Sequence, residues 1–442
     1  MKTSQFSLRR MVQALASRAD LVKPYSGCLR RNIPPNEQRM YSYETEIIEK
    51  EESSILMNVG PSHPATHGTL RLKMKVQGET VIACDQEIGF LHTGFEKLGE
   101  YRSYNQFVTI TDRMNYISPL NNNIGYALAA EELLGITVPD RCQKIRVILG
   151  ELSRIADHIF SLGAMTMDLG AFSSILWAFV EREKLYDVFE SVTGTRLTTS
   201  YTRVGGLAFD LPAGFEQRVT EILVEVEQTI QKMRDSFLEN PIFIERTRGV
   251  GVITEQDVYD YGLTGPIARA SGVNYDVRKF KPYLGYEKFE FKVPIYNEGD
   301  SYARYIIRLD EMDESCKIVR QALAELKPGP INYEDQKHVL PDKNSVYHDM
   351  ESLIHHFKVI MPGGKHGIQP PRKTMYAATE APNGELGFYI ISDGGANPYK
   401  VRVRPPSLFN YQIYSKLMTG ANLSDLVTIL ASFNVIAGEL DR

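Results

Sequence analysis

The sequence predicts an α+β fold, with a central bundle of long helices flanked by β-structure. Three observations predict it. Four segments in the middle of the chain repeat apolar residues at helical spacing. Two strand-like segments precede them, and a hairpin pattern follows them.

Taken in order, residues 1–41 carry Lys2, Arg9, Arg10, Arg18, Lys23, Arg30, Arg31 and Arg39 against Asp20 and Glu37. With Ser and short apolar residues interspersed, as in Phe6 to Leu15, this is the composition of a mitochondrial targeting segment, or of a basic arm laid on a partner subunit. Residues 42–52 turn acidic (Glu44, Glu46, Glu49, Glu51, Glu52) and read as a solvated boundary. The chain therefore divides into an N-terminal extension, 1–52, and one large domain, 53–442. Thr69 to Val76 alternates, with Leu70, Leu72, Met74 and Val76 on one face, and after the Gln77-Gly-Glu turn Thr80 to Cys84 returns as a second strand. Between Pro139 and Asp168, Ile148, Leu152, Ile155, Ile159 and Leu162 share a helix face. Ser173–Val192 is a second helix, with Leu176, Phe179, Leu185, Val188 and Phe189 as its apolar series. Phe215–Leu238 and Ser301–Leu326 complete the bundle. In the last third, Ser345–Phe357 reads as helix, Thr374–Thr379 and Gly387–Ser392 as strands around the Pro382-Asn-Gly384 turn, and Lys400–Arg404 as a third strand.

Composition excludes several classes. A hydrophobic content of 43% with 24% charged residues fits a globular protein with a substantial core. A net charge of −5 gives no general nucleic-acid footprint. No run of 18 apolar residues occurs, so membrane association would come through partners. The four cysteines, Cys28, Cys84, Cys142 and Cys316, form no CxxC and read as structural thiols. Glu181 to Lys184 is a charge run expected at a solvated or intersubunit face, and His355 and His356 read as structural. Gly363-Gly-Lys-His-Gly367 lacks the P-loop spacing, so no nucleotide site is expected.

His63 and His67 stand four apart in Gly60-Pro-Ser-His-Pro-Ala-Thr-His-Gly68. On a helix that spacing would suggest metal ligands, but Pro61 and Pro64 argue against a regular helix. The other reading is a loop that presents one imidazole to a buried ligand, where it can donate a proton near neutral pH. Tyr116 offers a phenolic donor, or is a core tyrosine with its hydroxyl satisfied. Asp168 ends an apolar helical run, where a carboxylate is costly unless paired or hydrogen-bonded at the helix end.

Two segments resemble the metal-binding ends of nickel–iron hydrogenase large subunits: Thr111-Asp-Arg-Met-Asn-Tyr-Ile-Ser-Pro119 and Ser432-Phe-Asn-Val-Ile-Ala-Gly-Glu-Leu-Asp-Arg442. The family's cysteine ligand positions fall here on Asn115, Ser118, Ile436 and Glu439, which supply no thiolate. A scaffold of this kind without its metal resembles the D-subunit (subunit 7) family of respiratory complex I, the NADH:quinone oxidoreductase. The loop 60–68, Gly89 to Lys97, Ser271 to Arg278, Ser392 to Tyr399 and the Gly-Glu-Leu-Asp-Arg442 terminus carry the resemblance together. It implies a hydrogenase large-subunit-like fold and a core subunit of the proton-pumping, mitochondrial inner-membrane complex on its matrix side. It implies no metal or other cofactor held by this chain alone. Ubiquinone would bind at the interface with a B-type subunit that carries a tetranuclear iron–sulfur cluster. A C-type subunit and membrane-arm subunits near the point where quinone enters would be further partners. His67 and Tyr116 would hold and protonate the quinone head group, and Asp168 would pair with His67. His63 would order the loop, His92 and Arg113 would line or support the region, and His158 would lie near the cluster. Thr93 stands where some mitochondrial relatives carry arginine, so no role is taken from that arginine. The rivals are a metal-dependent hydrogenase, which the absent thiolates oppose, and a non-catalytic scaffold.

Overall fold

A computed structural model describes residues 46–50, 54–334, 339–361 and 367–442. The basic N-terminal segment, Cys28 and most of the glycine-rich 363–367 stretch lie outside the described residues. One compact unit, Tyr43–Arg442, contains everything described below.

The first sheet has four antiparallel strands in sequence order: β1 (Glu46–Lys50), β2 (Ile55–Val59), β3 (Arg71–Gln77) and β4 (Thr80–Glu87). β3 alternates as expected, burying Leu72, Met74 and Val76, and Met74 pairs with Cys84. β1 pairs with β2 through Ile47 and Met57, so the first sheet begins within the acidic 42–52 stretch.

Four long helices form the centre. They are α2 (Asp140–Asp168), α3 (Phe172–Thr193), α4 (Phe215–Phe237) and α5 (Ser301–Ala324), and they follow the expected spans closely. α2 is buried on nearly every side, because α3, α5 and the shorter helix α1 (Pro119–Leu134) all pack on it. Gly163 lets α3 approach, since a Cβ there would lie 2.8 Å from that of Ala178. Leu176 and Phe179 do not join the core. They are 53% and 38% exposed, and α3 buries Ile175, Ala178, Leu185, Val188 and Phe189 instead. Glu181 of the expected solvated charge run is buried and paired with Lys184.

α1 was not predicted. Three consecutive asparagines and Gly125 give it poor helix propensity. Tertiary bonds hold it, including Asn121 Nδ2 to the Gly150 carbonyl at 3.2 Å and Asn123 Nδ2 to Thr111 Oγ1 at 2.9 Å. The C-terminal sheet is the antiparallel set β5 (Lys373–Ala381), β6 (Gly384–Ser392) and β7 (Lys400–Arg404), with β6 central. It packs Leu386, Phe388 and Ile390 against α1. The expected 345–357 helix is two helices, Lys343–His348 and Met350–Ile360, because Asp349 caps the second through the Glu351 and Ser352 amides. The last two helices, α6 (Asp425–Phe433) and α7 (Ala437–Asp441), return the C-terminus to the centre of the molecule.

Candidate functional site

The loop between β2 and β3 is fixed by its own side chains. His63 Nδ1 accepts from the Ala65 amide at 3.1 Å and starts a single turn, Pro64–Thr66. Buried Thr66 Oγ1 lies 2.8 Å from the carbonyls of both His63 and Gly68. That turn ends on His67 with φ 50° and ψ 32°, a left-handed conformation uncommon for a side-chain-bearing residue. The backbone is thus bent to aim one imidazole, and His63 orders the loop. His67 Nε2 lies 2.5 Å from Asp168 Oδ2. The two side chains are in close contact, and Asp168 Oδ2 has no aligned hydrogen bond. Asp168 is the last residue of α2, where the helix dipole already presents negative charge, so a cationic neighbour is favoured.

Gly68 faces Ala437 of the C-terminal segment, and a Cβ on it would lie 3.2 Å from the Ala437 methyl. Tyr116 approaches the Ala437 backbone N–H. Burial pushes its phenol above the ordinary range, the Ala437 backbone N–H opposes this, and the Asp157 and Glu439 carboxylates add to it. Gly438 allows the close fit, since a Cβ there would come within 2.8 Å of the Arg113 carbonyl oxygen. The fold therefore brings together the two segments that sequence reading singled out, which lie more than 300 residues apart.

The residues at the hydrogenase ligand positions do not fit nickel and iron. Asn115 Oδ1 accepts from the amides of Ile117 and Ser118 at 3.2 and 3.1 Å. Ile436 offers no donor atom. Glu439 is fully buried and accepts from Ser407 Oγ at 2.5 Å. Burial first, and then Asp157, push its carboxyl up to about 7, against Ser407 and Asn383. Among the described residues no group of three or more His, Cys, Asp or Glu is arranged to hold a metal ion.

Other expected residues are placed elsewhere. His92 Nδ1 bonds the Asp441 carbonyl at 2.7 Å, and the Asp441 carboxylate accepts from the Gly89 and Leu91 amides. His92 thus ties its loop to the C-terminus beside a cavity of about 360 Å³. The Arg113 side chain is exposed and donates to the Thr109 carbonyl, and its own carbonyl faces Gly438 of the C-terminal segment. His158 is fully buried within the bundle, 2.9 Å from Glu311. Burial lowers its basicity, against the pull of Glu311. Sequence reading missed the ionic network that continues from there. Arg269 bonds Glu311 and Glu380 at 2.7 and 2.9 Å, and Arg278 bonds Asp276 and Glu151 at 2.7 and 3.1 Å, all fully buried. It also missed Asp157, which accepts from Asn434 Nδ2 at 2.6 Å. The available signal was charged residues interrupting an otherwise apolar helix, at Glu151, Arg154, Asp157 and His158.

Comparison with known proteins follows the same lines. The family model for the respiratory-chain NADH dehydrogenase 49 Kd subunit matches residues 168–442. This chain belongs to that family. The NADH-quinone oxidoreductase D 1 subunit of Symbiobacterium thermophilum is 48% identical over 404 residues, 90% of this chain and 99% of the relative. The corresponding D subunit of Methylacidiphilum infernorum is 44% identical over 94% of this chain and 98% of its own length. The C/D subunit of Bdellovibrio bacteriovorus is 46% identical over 87% of this chain, matched across 68% of its own length. The family makes the chain a subunit of complex I, and these relatives are bacterial. The hydrogenase-like α+β architecture agrees with the family. No helix among the described residues is long and apolar enough to cross a membrane.

Proposed function

We propose that this chain forms the quinone-reduction site of complex I, at an interface with a B-type subunit that holds a tetranuclear iron–sulfur cluster. One observation carries the reading. The loop that carries a left-handed histidine beside a carboxylate, and a half-buried tyrosine, both meet the same C-terminal residue, Ala437. Reducing a quinone to a quinol consumes two electrons and two protons, and charge developing on a buried oxygen is costly without a donor. His67 and Tyr116 are the two donors, Asp168 orients His67, and His63 holds the loop. Electrons arrive from NADH through other subunits. His158 sits inside the bundle, and its influence on the cluster would be electrostatic. C-type and membrane-arm subunits complete the partners, and the reaction drives proton pumping by the assembled complex. A mitochondrial inner-membrane setting is part of the proposal and rests on the arginine-rich N-terminal composition. Residues 1–41 fused to a reporter should direct it into mitochondria, and failure of import would favour the basic-arm reading.

A photoreactive ubiquinone bound to the assembled complex tests the site. Labelled peptides should map to 60–69 or 111–118 and disappear when excess quinone competes. Competable labelling confined to other subunits would favour the scaffold reading.

A further inference from the structure

We propose that Asp441 is a positioning residue for quinone reduction. Together with His92 it clasps α7 to the 89–92 loop, and so holds Ala437 against the turn that presents His67. This rests on the quinone-site reading above and deepens it.

The clasp is three hydrogen bonds on one residue. Asp441 is buried at the end of α7. Its Oδ1 accepts from the Gly89 amide at 2.8 Å, and its Oδ2 accepts from the Leu91 amide at 2.7 Å. Bonds from amides to a carboxylate are charge-assisted and among the stronger kind. The Asp441 carbonyl oxygen lies 2.7 Å from His92 Nδ1. A carbonyl oxygen only accepts, so Nδ1 carries the hydrogen and donates it whether or not Nε2 is protonated. The loop is closed on itself by the His92 amide, which donates to the Gly89 carbonyl at 3.2 Å.

α7 is short, so whatever holds one end sets the other. Asp441 and Ala437 are four residues apart, about 6 Å along a helix. Leu440 N–H donates to the Ile436 carbonyl at 2.9 Å and Arg442 N–H to the Gly438 carbonyl at 3.1 Å, which makes the segment one stiff turn. Its flanks are closed. Glu439 accepts from Ser407 on one of them. On another, a Cβ at Gly438 would come within 2.8 and 2.9 Å of the Arg113 and Met114 carbonyl oxygens. The remaining contact is Ala437 with Gly68, where a Cβ would lie 3.2 Å from the Ala437 methyl. Gly68 has φ 152° and His67 before it has φ 50°. A left-handed conformation at a residue with a side chain persists only where its surroundings impose it. Ala437 is such a surrounding, and Asp441 fixes where Ala437 stands.

The test uses the assembled complex, with NADH:ubiquinone and NADH:artificial-acceptor rates measured side by side. Asp441→Asn keeps the size of the side chain, but it offers one accepting oxygen and sets an NH2 group against the second amide. It should lower the ubiquinone kcat about tenfold, within the range that misplacing a reacting group produces. Acceptor rates should stay at the wild-type level. In the His67→Ala background the same substitution should cost less than about threefold, because a residue that acts by placing His67 then has nothing to place. A merely structural fault would remove the same factor in both backgrounds. If Asp441→Asn fails to assemble, His92 carries the test. His92→Leu removes the Nδ1 donor and should slow ubiquinone reduction roughly threefold. His92→Asn, which sets an amide N–H in the place of Nδ1–H, should recover most of that loss. A wild-type kcat in Asp441→Asn, an equal loss in both backgrounds, or equal rates in the two His92 variants would overturn the proposal. If one of these came with a slow His67→Ala variant, the quinone site would stand and the clasp alone would fall. A wild-type rate in His67→Ala would remove both.

Discussion

At the scale of the residue, His67 and Asp168 depend on each other. The imidazole stands on a left-handed backbone position, and the carboxylate stands at the negative end of a helix. Asp168→Asn keeps the shape and removes the charge. It should slow quinone reduction roughly tenfold or more, on the usual scale of lost acid–base assistance, while artificial-acceptor rates persist. An unchanged quinone rate would deny the pairing a role. Glu439 gives a second expectation. Its carboxyl leaves the ordinary value of 4.5 for about 7 in the folded chain, so the folded state binds more protons between those values. Stability should therefore fall as pH rises through that window, and E439Q should flatten the fall in thermal-inactivation midpoints. The site was only partly legible in the sequence. His67 could be proposed because its prolines excluded a helix, but its partner lies 101 residues away and came from family resemblance. Asp157 stayed hidden because reading the period of a helix weighs apolar positions and passes over a single acid among them.

At the scale of the element, the long helices and the strands β3 to β7 were legible because burial of one face imposes a period, while β1 and β2 were not. α1 was not, since its asparagines are offset by tertiary hydrogen bonds that no local pattern reveals. The split at Asp349 and the exposed Leu176 and Phe179 show the opposite error, an apolar pattern read as more continuous and more buried than it is. α2 is also the element that carries the buried ion network. Burial raises the Glu151 carboxyl, but Arg154 and Arg278 outweigh this and hold it at about 2. The stability it contributes is present above the ordinary carboxylate range and is lost as pH falls toward 2. Glu311→Gln would leave Arg269 underpaired in a dry interior, at a cost of about 3–5 kcal/mol. Thermal inactivation of the complex carrying that variant should occur well below the wild-type temperature. An unshifted midpoint would show that the network adds no net stability.

At the scale of the whole molecule, the chain makes sense only as part of an assembly. Phe172, Leu176 and Val180 stand out from α3 more than half exposed, a stripe that a complex would cover. Mild-detergent extraction should release the chain in a large assembly with iron–sulfur subunits. A stable soluble monomer with full quinone reductase activity would contradict this. The central claim is that quinone is reduced against His67 and Tyr116, and steady-state turnover of paired variants tests it most directly. With normal assembly, Tyr116→Phe should weaken quinone binding and turnover, and His67→Ala should slow NADH:ubiquinone reduction by about 10²-fold. NADH oxidation by an acceptor that takes electrons upstream should stay at the wild-type rate in both. Wild-type ubiquinone rates in both variants would contradict the account and leave the chain as a scaffold.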